Sequence, residues 1–125
     1  MSKIQAFQAS ALSETPSTPG IIRHRAFQGD GCMVLRAQTA PGMMSGWHHH
    51  GDHDVYGYVA SGAARFESES GEEGAVDLGP GDFFHVAAHT VHRESNPSSE
   101  RSKIILFLRG DGPLVVSVDD SNCPG

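Results

Sequence analysis

Four histidines fall within six residues of this chain, at positions 48, 49, 50 and 53. About forty residues later, a second histidine-containing segment, residues 81–92, ends in His92. Glycines bound each segment, and the neutral imidazole of histidine is a common metal ligand. Two separated segments of this kind most simply predict one metal site that is built from two strands.

The period of a β-strand determines which of these histidines can act together. Successive side chains point to opposite faces, so His48 and His50 share one face, while Trp47 and His49 share the other. If His92 lies on a neighbouring strand whose inward face meets this one, its nitrogen completes a facial set of three. Such a set leaves open positions on the metal for water or substrate. His49 is therefore expected to be a packing or surface residue.

The strands that must position these histidines are indicated by short apolar runs, which partly alternate with polar residues and are separated by Gly, Pro, Asp and Asn. Turns about every ten residues favour a closed antiparallel sheet. Since no stretch of about twelve residues combines a helical apolar face with helix caps, little or no helix is expected. The runs are Met33–Arg36, Trp47–His50, Tyr56–Ala60, Ala63–Glu67, Ala75–Leu78, Phe83–Val86, Ile104–Arg109 and Leu114–Val118.

The length of 125 residues allows one domain with a real hydrophobic core. Residues 1–20 include a segment rich in Ser, Thr and Pro, and are interpreted as an N-terminal arm that lies on the domain or on a partner subunit. Residues 21–118 are predicted to form the compact domain, an all-β barrel or sandwich, and residues 119–125 a flexible tail. Cys32 and Cys123 lack the spacing of a zinc cluster and are expected to be free thiols.

The charge balance limits the classes of partner. Nine Lys and Arg against fifteen Asp and Glu give a formal net charge of -6, and the absence of a basic stripe disfavours nucleic acid. The sequence has neither a signal-peptide pattern nor an apolar run long enough for a transmembrane helix. We therefore expect a cytoplasmic protein that binds a small-molecule substrate, with no nucleic acid and no membrane partner.

Both histidine segments resemble the two motifs of the cupin superfamily, whose members are small β-barrels of the double-stranded β-helix, or jelly-roll, type. The first motif is Gly, five residues, His-x-His, three or four residues, Glu, six residues, Gly, and its frame here runs from Gly42 through His48 and His50 to Gly62. The second is Gly, five residues, Pro-x-Gly, two residues, His, three residues, Asn. It falls on Gly81, Ala87, His89, His92 and Asn96. The resemblance covers roughly residues 30–118 and implies an all-β fold with a single barrel.

The first motif departs from the family pattern at its glutamate. With four residues after His50, which keeps the spacing to Gly62, the glutamate position is occupied by Val55. A gap of three would place Asp54 there but would put the glycine one residue too far. The first frame is preferred because residues 58–62 resemble the family's Tyr-Val-Leu-x-Gly strand end. The family's carboxylate ligand is therefore expected to be missing.

The resemblance implies a metal site of His48, His50 and His92, with Asp54 or His53 as a candidate fourth ligand. Three neutral imidazoles leave the full divalent charge available to polarise bound water or an anionic substrate. One divalent metal ion per chain is expected, drawn from Fe, Zn, Mn and Ni, with Fe or Zn favoured. Because small cupins often exchange N-terminal strands, the resemblance also implies a homodimer.

The first hypothesis is that the protein is a metal-dependent enzyme that acts on a small, oxygen-bearing organic molecule. With iron, the resemblance implies dioxygenase-like chemistry. With zinc or manganese, it implies an isomerase, lyase or cyclase in which His53 or His85 moves the proton. Asp54 could instead accept a hydrogen bond from a ligand imidazole. The alternatives are a non-catalytic cupin that binds a small ligand, and a histidine-rich metal buffer that would bind several ions weakly.

Overall fold

The computed structural model of the protein describes residues 3–72 and 74–118, and its regular structure there is almost entirely β. In these ranges helical structure is limited to one 3₁₀ turn, Ala9–Ala11, and no helix has the length and apolar character needed to span a bilayer. The strands are β1 (Ser13–Glu14), β2 (Ile21–Gly29), β3 (Cys32–Thr39), β4 (His48–His49), β5 (Asp54–Ser61), β6 (Ala64–Ser68), β7 (Ala75–Leu78), β8 (Phe83–Val86), β9 (His92–Ser95), β10 (Ser102–Arg109) and β11 (Val116–Ser117).

The strands form two antiparallel sheets. Sheet A has the order β1-β2-β3-β10-β5-β8, and sheet B has the order β11-β4-β9-β6-β7. Strands far apart in sequence, such as β3 and β10, are direct neighbours and pair over their whole lengths. Two facing antiparallel sheets, in which strands far apart in the sequence are neighbours, are typical of a jelly-roll. The predicted all-β fold class, with little or no helix, is therefore confirmed.

A hydrophobic core joins the two sheets. Burial alternates along the whole of β10, so that Ile104, Leu106 and Leu108 point inward. Ala64, from β6 of sheet B, belongs to the same buried cluster. Burying an aliphatic side chain of this size contributes about 1.5–3 kcal/mol. The core therefore fixes how the two sheets face each other and, with them, the side chains between the sheets.

Each of the eight apolar runs identified in the sequence overlaps a strand. Three short or polar strands, β1, β2 and β9, have no such run. β9 is His-Arg-Glu-Ser and has no apolar residue, while β2 carries the buried Arg23 on its inward face. The apolar pattern thus misses β9, which has no apolar residue, and β2, where Arg23 follows the buried Ile21 on the inward face. Two of these strands, β2 and β9, contribute to the site described below.

Part of the N-terminal arm lies on its own domain. Ser13–Glu14 pairs antiparallel with β2, opposite Arg25 and His24, and Thr18 is only 2% exposed. Exchange of the arm between two subunits stays a prediction, as does the homodimer. The tail predicted at residues 119–125 lies outside the described residues.

Candidate metal centre

Two neighbouring strands of sheet B place three histidines on its interior face. His48 of β4 lies directly opposite His92 of β9, and His50 points the same way as His48 because side chains alternate along the chain. The ring centroids of His48 and His92 are 4.4 Å apart, and the other two pairs are each 5.1 Å apart. One ring nitrogen from each residue lies within 4.8 Å of the other two. We call these residues the three-histidine group.

A backbone hydrogen bond determines which nitrogen each of these rings offers. In all three, Nδ1 lies within hydrogen-bond distance of a main-chain carbonyl, and because a carbonyl can only accept, the neutral ring carries its proton on Nδ1. Nε2 is then unprotonated and can bind a cation, which is the usual arrangement of metal-ligating histidines. In His48 this nitrogen also lies 3.5 Å from Nη2 of Arg23. The carbonyls are those of Gly46 for His48 (3.0 Å), Leu114 for His50 (3.0 Å) and Thr90 for His92 (2.8 Å).

Burial keeps the first two histidines neutral. His48 is 0% exposed and His50 is 6% exposed. Burial, with a smaller contribution from His92, lowers the pKa of His48 to about 3 and the pKa of His50 to about 2. Both imidazoles are therefore uncharged at neutral pH and can bind a metal ion without first losing a proton.

The structure does not bring Asp54 to this group. The Asp54 carboxylate accepts a hydrogen bond from Nε2 of His85 (2.9 Å), and this bond lowers the pKa of Asp54. The next residue, Val55, is 2% exposed and belongs to the hydrophobic core. Alternation along β5 thus points Val55 inward and Asp54 outward. Asp54 therefore does not reach the three-histidine group, which corrects its prediction as a candidate ligand. The family's glutamate position is occupied by the apolar Val55.

The two candidate proton carriers also lie apart from the three-histidine group. His53 is buried, and its Nδ1 donates a hydrogen bond to the main-chain oxygen of His50 (2.8 Å), which braces the loop after β4. His85 stacks on Tyr56 with a centroid distance of 4.7 Å, and its side chain is 46% exposed. Neither imidazole joins the three-histidine group as a fourth ligand.

A buried arginine, for which the apolar pattern gives no signal, lies beside the group. Arg23 of β2 is 1% exposed. Its Nη1 donates a hydrogen bond to Oγ1 of Thr18 (2.8 Å), and its Nη2 lies 3.5 Å from Nε2 of His48. Burial lowers the pKa of Arg23, an effect that Glu94 partly offsets. A guanidinium in this position requires a nearby negative charge, and Glu94 provides it.

Glu94 is the second residue that sequence reasoning missed. It follows His92 by two positions on β9, so both side chains share the interior face. Its Oε1 lies 3.7 Å from Nε2 of His48 and 3.9 Å from Nη2 of Arg23, and its side chain is 12% exposed. The two-residue spacing from His92 could have indicated from the sequence that Glu94 points to the same side as the ligand histidine. The three-histidine group is thus accompanied by a carboxylate and a guanidinium.

A cavity of about 430 Å³ opens beside His92. Part of its wall is aromatic, because Phe66 and Phe84 lie with their ring centroids 4.6 Å apart, and Phe66 is 6.1 Å from the ring of His92. Ser68 and Thr90 add polar groups, and His85 borders the cavity at the edge strand β8. A mainly apolar cavity of this size with a few polar groups is typical of small-molecule sites.

Gly57→Ala is expected to displace the Phe84 ring and to lower the free energy of unfolding by about 1–3 kcal/mol. Gly57 and Phe84 are paired across β5 and β8, and a Cβ at residue 57 would overlap the end of the ring. Urea denaturation measures the loss. In a Phe84→Ala background the cost should fall below about 0.5 kcal/mol, because the two sites are coupled. The control is Gly79→Ala, where a Cβ meets nothing within 4 Å; equal costs in both backgrounds would contradict the prediction.

Comparison with known proteins identifies the family. A profile of the cupin domain family matches residues 35–108, which is more than half of the chain. No curated protein matches the sequence.

Solved structures share the fold. KdgF from Halomonas sp. is 26% identical, with a TM-score of 0.70 over 86% of this chain and 96% of that one. The polyketide cyclase RemF from Streptomyces resistomycificus is 14% identical, with a TM-score of 0.76 over 98% and 90%. Oxalate decarboxylase from Bacillus subtilis is 20% identical, with a TM-score of 0.68 over 82% of this chain and 28% of that one. The last two show a common fold alone. The profile match, the two-sheet barrel and the clustered motif histidines together show that this chain belongs to the cupin family.

Proposed function

We propose that this cupin is a metal-dependent enzyme, which binds one divalent ion through the three-histidine group and acts on a small, oxygen-bearing organic molecule in the adjoining cavity. The observation that carries the proposal is the convergence of three Nε2 lone pairs, each oriented by a backbone hydrogen bond, beside a cavity of about 430 Å³. Neutral imidazoles arranged in this way are a suitable donor set for Fe(II) or Zn(II).

Iron-dependent oxygenase chemistry is the function that these residues support best. When bound, the ion would supply a Lewis acid for an oxygen-bearing substrate, and iron would add redox chemistry with dioxygen. An isomerase, lyase or cyclase needs a positioned acid–base residue. His53 does not border the cavity, and its Nδ1 is bonded to the main-chain oxygen of His50. His85 does border the cavity, but its Nε2 is held by the Asp54 carboxylate. An oxygenase depends less on such a residue, so the placement of these two histidines favours it.

The aromatic wall of the cavity and the charge of the bound ion limit the substrate class. Phe66 and Phe84 offer an aromatic surface, against which a planar ring packs with about 0.5–1.5 kcal/mol beyond its area burial. A divalent ion with three neutral ligands attracts an ionised oxygen, such as that of an enolised diketone or a phenol. Diketones and phenols are therefore the first substrates to test, followed by thiols.

Elemental analysis and oxygen consumption test this proposal together. We expect one tightly bound iron per chain, and oxygen uptake by the iron-loaded protein with a diketone or a phenol. His50→Ala should abolish the uptake. The matched control is His89→Asn, because His89 is exposed and asparagine tolerates its left-handed backbone (φ 62°).

Other outcomes would support a function other than that of an oxygenase. Turnover of the same substrates without oxygen uptake would indicate an isomerase, lyase or cyclase. Binding without turnover would indicate a non-catalytic, ligand-binding cupin. Several weakly bound ions per chain, unaffected by His50→Ala, would indicate a metal buffer and sink the proposal.

A further inference from the structure

We propose that the outer face of sheet A is the surface through which two copies of this chain associate. The inference does not depend on the metal ion or on the reaction, and it gives a place to the homodimer that the family resemblance implies. The surface is an apolar patch on β5, β8 and β10, which we call the outer patch. Its five residues are Tyr56, Tyr58, Phe83, Ile105 and Phe107.

Strand alternation and register bring these side chains together on the solvent side of the sheet. Along β5 and β10 every second residue is buried, so the residues between them point outward. The register places Ile105 beside Tyr58, and Tyr58 beside Phe83, in one row across the sheet. In the next row Phe107 lies beside Tyr56, with ring centroids 6.4 Å apart. The five side chains therefore form one continuous surface.

The area of the outer patch is close to what one side of a stable dimer requires. Phe83 is 75% exposed, and the other four residues are between 37% and 42% exposed. Because a large aromatic side chain offers about 150–250 Å², the exposed apolar surface is on the order of 400 Å². Each partner in a standard interface buries about 800 Å², about 65% of it apolar in homodimers. The outer patch would thus supply most of the apolar area of one side.

The strand order makes this face complementary to itself. Within the order β3-β10-β5-β8, a two-fold axis that runs along the strands between β10 and β5 lays β10 of one copy on β5 of the other. Two sheets stacked face to face align within about 30°, so each row meets the same row of the second copy. Ile105 then faces the partner's Tyr58, and Phe107 faces the partner's Tyr56. Apolar side chains therefore meet apolar side chains at the centre of the contact.

The charged residues beside the outer patch follow the same symmetry. Arg109 and Asp54 are paired across β10 and β5, one row further along, so the axis brings Arg109 over the partner's Asp54. Arg36 lies beside Ile105 on β3 and would meet the ring of the partner's Phe83. Its Nε has no hydrogen-bond partner among the described residues, and a guanidinium stacks favourably on an aromatic ring. Both arginines thus meet a complementary group, which favours a second copy over a partner of unrelated sequence.

The outer patch also reaches the cavity beside His92. Phe83 belongs to the patch and borders the cavity, as does His85, which stacks on Tyr56. A second copy on this face would therefore lie at the mouth of the cavity and limit access to it.

The first test is sedimentation velocity at about 50 μM chain, well above the micromolar limit of standard-size interfaces. We expect the wild-type protein to be a dimer. Phe107→Glu places a charge opposite the partner's Tyr56 and should raise the dissociation constant at least about 30-fold, as the loss of a central aromatic anchor does. The matched control is Met44→Glu, which changes an apolar side chain outside the patch with a similar exposure, 49%, and should remain dimeric.

A second test uses the charges of the neighbouring row, and a change in folding cannot mimic its result. In a dimer of Arg109→Asp, carboxylates would face each other twice across the axis, and in a dimer of Asp54→Arg, guanidinium groups would do so. An equal mixture of the two variants restores a cation opposite a carboxylate at both places. The mixed pair should therefore have a dissociation constant about 10-fold or more below that of either variant with itself.

Three outcomes would overturn the proposal. A wild-type monomer at this concentration would mean that the face serves a different partner or none. A dimer that survives Phe107→Glu would place the contact elsewhere, for example in the N-terminal arm. Equal self-association of the two charge variants and of their mixture would remove the two-fold pairing. None of these outcomes bears on the three-histidine group, because its residues lie on the interior face of sheet B.

Discussion

The His48→Ala variant is expected to lose its tightly bound metal ion, with an affinity reduced by more than about 100-fold. Changing an outer partner of a metal ligand costs about 10–100-fold, and the loss of the ligand itself should cost more. His48 faces both other members of the group, with centroid distances of 4.4 Å to His92 and 5.1 Å to His50. Elemental analysis after dialysis and chelator competition measure the loss.

The control for this variant comes from the adjacent residue. His49→Gln changes a histidine in the same segment whose Nδ1 accepts a hydrogen bond from the backbone N–H of Gly51, and it should keep one ion per chain. Because His48 is fully buried, circular dichroism must first show that the alanine variant is folded. His92→Ala provides an independent second test. A folded His48→Ala protein that retains the ion with wild-type affinity would contradict the prediction.

Most of the barrel could be predicted from the sequence because apolar and polar residues alternate along its strands. This holds for β10, where every second side chain is buried, and for the other strands with apolar runs. It fails for β2 and β9, whose inward residues include Arg23 and Glu94. A polar side chain can be buried only when it has a hydrogen-bond or charge partner. Such partners come from other strands, so the pattern of apolar residues along one strand does not reveal these positions.

The three histidines could be predicted as a group because strand alternation and motif spacing both depend on local sequence. Alternation alone could not decide whether the first motif supplies a carboxylate ligand. A slip of one residue exchanges the two faces of a strand, so the choice between Asp54 and Val55 depended on the motif frame; the preferred frame agrees with the burial of Val55. Arg23 reaches His48 from the other sheet, and such a contact depends on how the two sheets pack.

The metal-free protein is expected to lose stability steeply as the pH falls below about 6.5, where histidine titrates in an unfolded chain. In the folded chain, burial lowers the pKa of His48 to about 3 and that of His50 to about 2. Between these values and pH 6.5 the unfolded chain binds two protons that the folded chain does not. The stabilising effect of neutral histidines is thus complete above about pH 6.5 and is lost on acidification. Each proton contributes about 1.4 kcal/mol per pH unit, so the slope approaches about 2.7 kcal/mol per unit.

A single substitution tests the origin of this slope. Urea denaturation between pH 5 and 8, with a chelator present, gives the free energy of unfolding at each pH. His50→Gln removes one of the two protons, so its slope should be smaller by about 1.4 kcal/mol per pH unit. His89→Asn removes an exposed imidazole, 63% accessible, and should leave the slope unchanged. The other ionisable groups that contribute to acid unfolding are common to all three proteins, so the difference between slopes isolates His50. Equal slopes in wild type and His50→Gln would mean that the protons bind elsewhere, and that burial does not hold this imidazole neutral.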